Sequence, residues 1–326
     1  MLRRLILAAV MLAPWCAWAA DPNGTITILE GDAFIYRGAS RLYANDGVQL
    51  ESGDIVETAA SGFMQIELAD ASVVQFGPAT RAMINATAGR QKPERWLFIM
   101  NGWCKVTGSK DGAASGSGLE LRTRLFTMPA NAGVVVFAET PAETTLFVER
   151  GEVKLAEDQA GGGPIGVSLK SGDYYRRKAG TRGTVNTGST EAFVAGMPRA
   201  FRDSLPLRLD RYRNQAVQPK EASDFVYADV EPWLNAEPWL RRPLVQRWRS
   251  KAKNPAFRAA LVAGLASHPE WDPVLFPEKY KKKPAVSAAR APLASSMPGI
   301  SPAPAPVLAP PPARPPGEVA SSPSAQ

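Results

Sequence analysis

Gly47-Val-Gln-Leu-Glu-Ser-Gly-Asp54 decides how the chain is read, because it is written again as Gly166-Val-Ser-Leu-Lys-Ser-Gly-Asp173, with six of eight positions identical. Val48 and Leu50, like Val167 and Leu169, alternate with polar residues, the period of a strand with one buried face. Gly53-Asp54 and Gly172-Asp173 close the two runs. Glycine accepts a positive φ without a Cβ clash, and an aspartate carboxylate can take nearby backbone N–H groups, so these four residues read as structural turns. Upstream, Gly31-Asp32 leads a short strand 16 residues before Gly47, and Gly151-Glu152 leads another 15 residues before Gly166. Asn101-Gly-Trp-Cys-Lys-Val106 looks like a third version of that element beside Arg150-Gly-Glu-Val-Lys-Leu155. A recurring strand–turn–strand–turn unit predicts stacked short strands, with a solenoid-like form ahead of a sandwich.

The β pattern extends from about Thr25 to Val185. Met64, Ile66 and Leu68 alternate with Gln65, Glu67 and Ala69, as a half-buried strand does, whereas Gly133-Val-Val-Val-Phe137 reads as buried on both faces. An all-β domain over 21–190 follows. From 196 to 282 the period becomes helical. Asn254-Pro255 is a cap and first turn, Phe257, Leu261 and Leu265 share one face, and His268-Pro269 ends the run. Leu244, Val245, Trp248 and Ala252 form a second stripe opposite Arg242, Gln246, Arg249 and Lys253, and Leu205, Leu209 and Tyr212 predict a shorter helix. Residues 283–326 are rich in Pro, Ala and Ser, with little apolar surface to bury, and are expected to be a disordered tail. At the other end, Arg3 and Arg4 precede the apolar run Leu5–Ala13, and Ala17-Trp-Ala19 supplies small residues for a cut. Residues 1–20 therefore read as a cleavable signal peptide and the protein as periplasmic, with no transmembrane segment in the mature chain. The net charge of +7 falls to +5 once Arg3 and Arg4 are removed.

The ordered elements Gly31-Asp-Ala33, Gly47-Val-Gln-Leu-Glu-Ser-Gly-Asp-Ile-Val-Glu-Thr58, Met64-Gln-Ile-Glu-Leu-Ala-Asp-Ala-Ser72 and Phe76-Gly-Pro78 resemble the FecR periplasmic domain. Leu146-Phe-Val-Glu-Arg-Gly-Glu-Val153 and Leu169-Lys-Ser-Gly-Asp173 match its second half. Two positions depart from that pattern. Asp70-Ala-Ser72 stands where the family has Asp-Gly-Ser, which predicts a reshaped turn, and the family's Arg-Gly-Thr element has no counterpart near Ala130. FecR-like regulators join a cytoplasmic sigma-factor-controlling segment to this domain through a transmembrane helix. Here a signal peptide stands in place of both, so the resemblance implies a periplasmic sensing or docking module without the anti-sigma segment.

Chemistry-bearing residues are few. Asp54, Glu57, Asp70 and Asp173 show no spacing that marks a catalytic carboxylate pair or a calcium loop. Cys104, the one cysteine left after signal removal, falls on an inward strand position and reads as buried and inert. His268, the one histidine, reads as a cation at a helix C-terminus. The run Gly112–Gly118 is a loop and lacks the strand-then-helix context of a phosphate cradle. Neither a metal nor a cofactor is expected, and an enzyme is not. The helical segment is the expected contact surface: 197–283 holds 17 Lys and Arg against 10 Asp and Glu, an excess of +7. Within it Trp233, Trp239, Arg241, Arg242 and Arg247 are the candidate binding residues, since Trp and Arg dominate contact energies. The competing reading has the Trp residues filling a small core. The partner expected is an envelope protein or peptidoglycan, and not nucleic acid. The function expected is a non-enzymatic periplasmic binding, adaptor or signalling protein; the alternative is a cell-envelope structural protein binding peptidoglycan or polysaccharide.

Overall fold

Short apolar runs punctuated by glycine do become strands. The structure, a computed structural model, describes residues 23–281 except 88–93, 110–117, 131–132, 160–161, 214 and 216. The expected signal peptide, the expected tail and most of the Gly112–Gly118 loop lie outside the described residues. Up to Tyr280 the chain forms one compact unit; of a second, Lys281–Gln326, only Lys281 is described. The first seven strands are β1 (Thr25–Glu30), β2 (Ala33–Arg37), β3 (Ser40–Tyr43), β4 (Ile55–Thr58), β5 (Phe63–Glu67), β6 (Val73–Phe76) and β7 (Arg81–Thr87). Then follow the long β8 (Glu94–Thr107), β9 (Leu119–Arg122), β10 (Phe126–Pro129), β11 (Gly133–Glu139), the long β12 (Glu143–Glu157), β13 (Ile165–Lys170), β14 (Asp173–Lys178) and β15 (Thr184–Thr187).

These strands make a two-sheet sandwich, not a stack of rungs. One sheet runs β1-β5-β6-β8-β11-β12-β14-β15 and the other β3-β2-β4-β7-β8-β9-β10-β12-β13. Every pairing is antiparallel except β8 with β9. The long strands belong to both sheets. β8 pairs with β7 up to Asn101 and with β11 from Gly102; β12 pairs with β11 up to Gly151 and with β13 from Glu152. The change of sheet falls on Gly102 and Gly151, at φ 105° and 87°, where a Cβ would be strained. Gly31, between β1 in one sheet and β2 in the other, has φ 69°. So the element recurring at Gly31, Gly102 and Gly151 marks where the chain passes between sheets. The inner faces supply one core, including Ile35, Met64, Phe76, Cys104, Phe126, Phe137, Leu146 and Leu169.

The two Gly-Asp corners share one geometry. Glu51 N donates to Asp54 Oδ2 at 2.8 Å, and Lys170 N donates to Asp173 Oδ2 at 2.9 Å. Gly53 N reaches Ile84 O at 2.7 Å, and Gly172 N reaches Val148 O at 2.8 Å, each tying its corner to a neighbouring strand. Gly53 and Gly172 have φ of 85° and 89°. At Asp70-Ala-Ser72, Ala71 takes φ 62° and Ser72 N donates to Asp70 Oδ1 at 2.9 Å.

After β15 come α1 (Glu191–Gly196), α2 (Leu209–Tyr212), α3 (Tyr227–Leu234), α4 (Pro238–Arg247), α5 (Pro255–Ala263) and α6 (Asp272–Leu275). Asn254 caps α5 as read from the sequence, accepting from Ala256 N at 3.0 Å and Phe257 N at 3.2 Å. These short helices form a belt. Phe193 and Phe201 cover Ile28, Phe63, Val136 and Tyr174 on the outer face of the first sheet. The chain then passes the β3 edge, where Lys220 O accepts from Tyr43 N at 2.8 Å. Finally Phe225, Trp233, Leu240, Leu244, Trp248, Phe257 and Trp271 pack on Tyr36, Ile55, Met83, Phe98 and Met100 of the second sheet. The belt explains why β5 is buried on both faces and not on one. Glu67 accepts from Arg208 N at 2.7 Å and Leu209 N at 3.0 Å, and Gln65 donates to Pro206 O at 3.1 Å.

Candidate functional site

The belt turns most of the expected contact residues inward. Trp233 is fully buried and its Nε1 donates to Glu57 Oε1 at 3.4 Å. Arg241 donates to Glu270 Oε2 at 2.9 Å and to Ala236 O at 2.8 Å. Arg247 donates to Gly53 O, bringing a candidate contact residue onto a candidate turn, and burial lowers its pKa. Only Trp239, 44 % exposed, and Arg242 of the five face solvent. A helix laid on an apolar sheet turns its largest rings down, and a half-buried guanidinium finds the nearest oxygen. Trp233, Trp248 and Trp271 fill the core that the belt shares with the sheet.

His268 departs from its expected role. It is fully buried, its Nε2 lies 3.1 Å from Tyr227 Oη, its Nδ1 has no hydrogen-bond partner, and burial lowers its pKa. It is a neutral core ring and not a cation at a helix end; α5 stops five residues earlier, at Ala263. Cys104 is buried on the inner face, and burial pushes its thiol well above the usual range. Of the expected carboxylates, Asp54 is held by Arg37 Nη2 at 2.6 Å and Nε at 3.1 Å, and Asp70 lies 3.5 Å from Arg95. Glu57 lies 3.1 Å from Arg81 and accepts from Tyr36 Oη at 3.2 Å, with its pKa raised by burial. The structure keeps these groups apart and answers each locally. Among the described residues no cluster of three or more His, Cys, Asp or Glu is placed to hold a metal ion.

The site that does form lies where the sandwich bends and the belt crosses it. A cleft of about 760 Å³ is walled by Pro78, Ala79, Met100, Trp103, Ala138 and Pro141 from the strands and by Pro232 and Ala236 from the α3–α4 link. Its polar groups are Arg81, Asn101, Arg124, Glu139, Thr140, Asn235 and Glu237. Glu139, the last residue of β11, stands opposite Gly102 on one side and Thr144 on the other. A Cβ at Gly102 would collide with Thr80, whose hydroxyl accepts from Trp103 N at 3.1 Å and holds the bend in place.

Glu139 is the unusual group here. It is 2 % exposed, Oε2 accepts from the Thr144 hydroxyl, and Oε1 has Arg124 Nη2 at 3.8 Å, beyond hydrogen-bond reach. Burial pushes its pKa up to about 8. A largely apolar cleft with a few converging polar groups is the form of a binding site. Ser, Cys and His are absent from the described lining. The sequence carried one overlooked signal for this site, an acidic residue closing the apolar run Gly133–Ala138; nothing in it placed Arg124 or Glu237 nearby.

A smaller cleft of about 280 Å³ shares Arg124 and Glu237 and is lined also by Glu120, Arg122, Asp158 and Trp239. There Trp239 meets Trp96 and Phe98 edge-on, both at 5.5 Å, and the Arg122 guanidinium sits 5.3 Å from Trp96.

No family model matches the sequence, and no curated protein matches it. Among solved structures the chain is similar to two crystal structures described as a "putative anti-sigma factor" from Parabacteroides distasonis, at 2.50 and 1.65 Å resolution. The first is 13 % identical with a TM-score of 0.35, over 44 % of this chain and 64 % of that one. The second is 12 % identical with a TM-score of 0.35, over 43 % and 63 %. The chain thus spans less than two thirds of the structures it matches, and a likeness of that size assigns neither family nor activity.

Proposed function

We propose that the protein is a non-enzymatic binding or adaptor protein of the periplasm, exported by its N-terminal signal, whose FecR-like sandwich presents the cleft beside Glu139 to a partner. The observation that carries this reading is the cleft itself: a concave apolar wall with few, converging polar groups, set where two structural layers meet. Its position on the bend of β8 and the α3–α4 link makes it rigid on one side and helical on the other. The test is in-cell photo-crosslinking from Asn235, on the cleft rim. A specific product is expected, and it should vanish when Ala236→Trp fills the cleft in a folded protein. A crosslink that survives Ala236→Trp places the contact elsewhere and ends this reading.

A second reading, an envelope structural protein that binds peptidoglycan or polysaccharide, draws support from the half-exposed Trp239 over the smaller polar cleft, since sugars stack on such rings. Retention on purified sacculi that is lost in Trp239→Ala would favour it over the adaptor reading.

A further inference from the structure

The belt does not cover the whole outer face of the second sheet. Its apolar cluster takes residues from β2, β4, β7 and β8 and none from β9 or β10. Beside the uncovered part, Trp239 of α4 shares the smaller cleft with Glu120, Arg122, Thr127 and Asp158. Strand pairing brings these residues together. The parallel pairing of β8 with β9 sets Glu120 beside Trp96 and Arg122 beside Phe98, and β10 sets Thr127 beside Arg122. Leu119, Leu121, Phe126 and Met128 go to the core between the sheets, so alternation turns Glu120, Arg122 and Thr127 outward. Asp158 follows β12 with its backbone fixed, N donating to Leu125 O at 3.0 Å and O accepting from Arg177.

Each of these groups can be reached from solvent. Trp239 is 44 % exposed, the Glu120 and Arg122 side chains 39 % and 29 %, Thr127 is half-buried and Asp158 exposed. Trp239 is nonetheless held in place by edge-on contacts with Trp96 and Phe98, at inter-ring angles of 74° and 86°. Arg122 Nε donates to Glu120 Oε1. Glu120 Oε2, the Arg122 Nη atoms, the Thr127 hydroxyl and the Asp158 carboxylate have no hydrogen-bond partner among the described residues. The cleft thus sets a firm, half-open ring beside free donors and free acceptors. It is lined by three carboxylates, Glu120, Asp158 and Glu237, and two guanidiniums, Arg122 and Arg124, so a ligand of either charge meets its own sign nearby.

Resting on the saccharide reading above and deepening it, we propose that this cleft is the subsite for one uncharged pyranose ring of the gluco configuration. The C–H face of the sugar lies on Trp239. Two neighbouring equatorial hydroxyls lie against the Glu120–Arg122 pair, one donating to Glu120 Oε2 and one accepting from an Arg122 Nη, and a third donates to Asp158. A hydroxyl both gives and takes a hydrogen bond, and a carboxylate beside a guanidinium offers an acceptor and a donor side by side. A sugar with equatorial hydroxyls has an apolar face and a polar rim, matching an open indole with polar groups around it. At about 280 Å³ the cleft falls just under the range of about 300–1,000 Å³ that drug-sized ligands fill, and suits a single ring. The same chemistry serves a neutral glucan and the N-acetylglucosamine of a glycan strand. An aromatic or cationic peptide side chain would use the indole or the carboxylates and leave the Arg122 donors unanswered.

The experiment follows the tryptophan indole N–H signals of the mature chain by nuclear magnetic resonance, the Trp239 signal being identified by its loss in Trp239→Phe. Methyl β-D-glucopyranoside and N-acetylglucosamine are titrated in, each against its C4 epimer, methyl β-D-galactopyranoside or N-acetylgalactosamine, with glucuronate and glucosamine as charged controls. At least one of the two gluco sugars should shift the Trp239 signal saturably, with a millimolar Kd. Binding of the glucoside points to a neutral glucan as the source and binding of N-acetylglucosamine to peptidoglycan. The epimer, whose axial C4 hydroxyl leaves the ring plane, should bind about tenfold more weakly, and the charged sugars more weakly than the neutral ones. Glu120→Gln and Asp158→Asn should each weaken binding about tenfold, with folding checked by circular dichroism. If Glu120→Gln fails to fold, Asp158→Asn and the epimer comparison decide the matter. No saturable shift with either gluco sugar, equal binding of a sugar and its epimer, preference for a charged sugar, or unchanged affinity in either folded variant overturns the subsite. Should that happen while Trp239→Ala still loses retention on sacculi, the saccharide reading stands and only this subsite falls.

Discussion

Glu139 shows how one residue acquires its chemistry from its neighbours. An acidic residue after Gly133-Val-Val-Val-Phe-Ala138 has an ordinary carboxyl in an isolated strand. Burial to 2 % exposure raises its pKa to about 8, against the opposing pull of the Thr144 hydroxyl and the Arg124 charge. Because the folded value lies above the unfolded one, the folded state binds the extra proton between about pH 4.5 and 8. Stability therefore falls as pH rises through that window and levels off above it. Glu139→Gln, which keeps the shape and cannot ionise, should flatten the decline. Thermal midpoints at pH 5 and pH 8 check this: the variant should match the unaltered protein at pH 5 and exceed it by several degrees at pH 8. His268 works in the opposite sense. Its lowered pKa makes the neutral ring part of the fold, so its contribution is present above about pH 6.5 and is lost as pH falls below it.

At the scale of elements, the repeated Gly-Asp corner is the part of the fold most plainly written in the sequence. Both copies place glycine at positive φ and turn the aspartate back to the residue three before it. What the repeat could not convey is that the copies have diverged in their surroundings. Gly53 lies under the Arg247 guanidinium, where a Cβ would collide, while Gly172 has nothing within 4 Å. Gly172→Ala should cost only the left-handed backbone penalty, about 1–2 kcal/mol. Gly53→Ala should cost that plus the displacement of Arg247 from a buried hydrogen bond, about 1–3 kcal/mol more. Urea unfolding of the two variants, with equal slopes, measures the difference. Equal losses would mean that Arg247 moves aside freely and that the contact contributes nothing.

For the whole molecule, the helical segment is the outer skin of the sandwich. Neither sheet can face water without it, since Tyr36, Ile55, Met83, Phe98 and Met100 on one side and Ile28, Phe63, Val136 and Tyr174 on the other meet belt residues. Each fully buried large apolar side chain contributes about 1.5–3 kcal/mol. Uncovering the first group alone removes about as much as the net stability of an ordinary domain, about 5–15 kcal/mol. A chain ending at residue 190 should therefore fail to fold as a soluble monomer, binding a dye for exposed apolar surface and losing its near-ultraviolet dichroism. A stable, cooperatively unfolding 21–190 fragment would show that the sandwich stands alone and that the belt is an addition to it.

The sequence by itself determined the strands, their glycine-marked ends, the Gly-Asp corners, the α5 cap and the inward place of Cys104. Each follows from forces acting within a few residues: period, allowed φ and local hydrogen bonding. Only the tertiary structure decided that the copies close into a two-sheet sandwich, because Gly102 and Gly151 look alike in sequence whether a strand continues or changes sheet. It also decided the fate of Trp233, Arg241 and Arg247. Their helices are amphipathic in any setting, but which face meets protein depends on an apolar sheet supplied by residues more than a hundred positions away. The cleft is of the same kind: Arg124, Glu139 and Glu237 come together through strand register and belt packing, and no spacing along the chain carries that information.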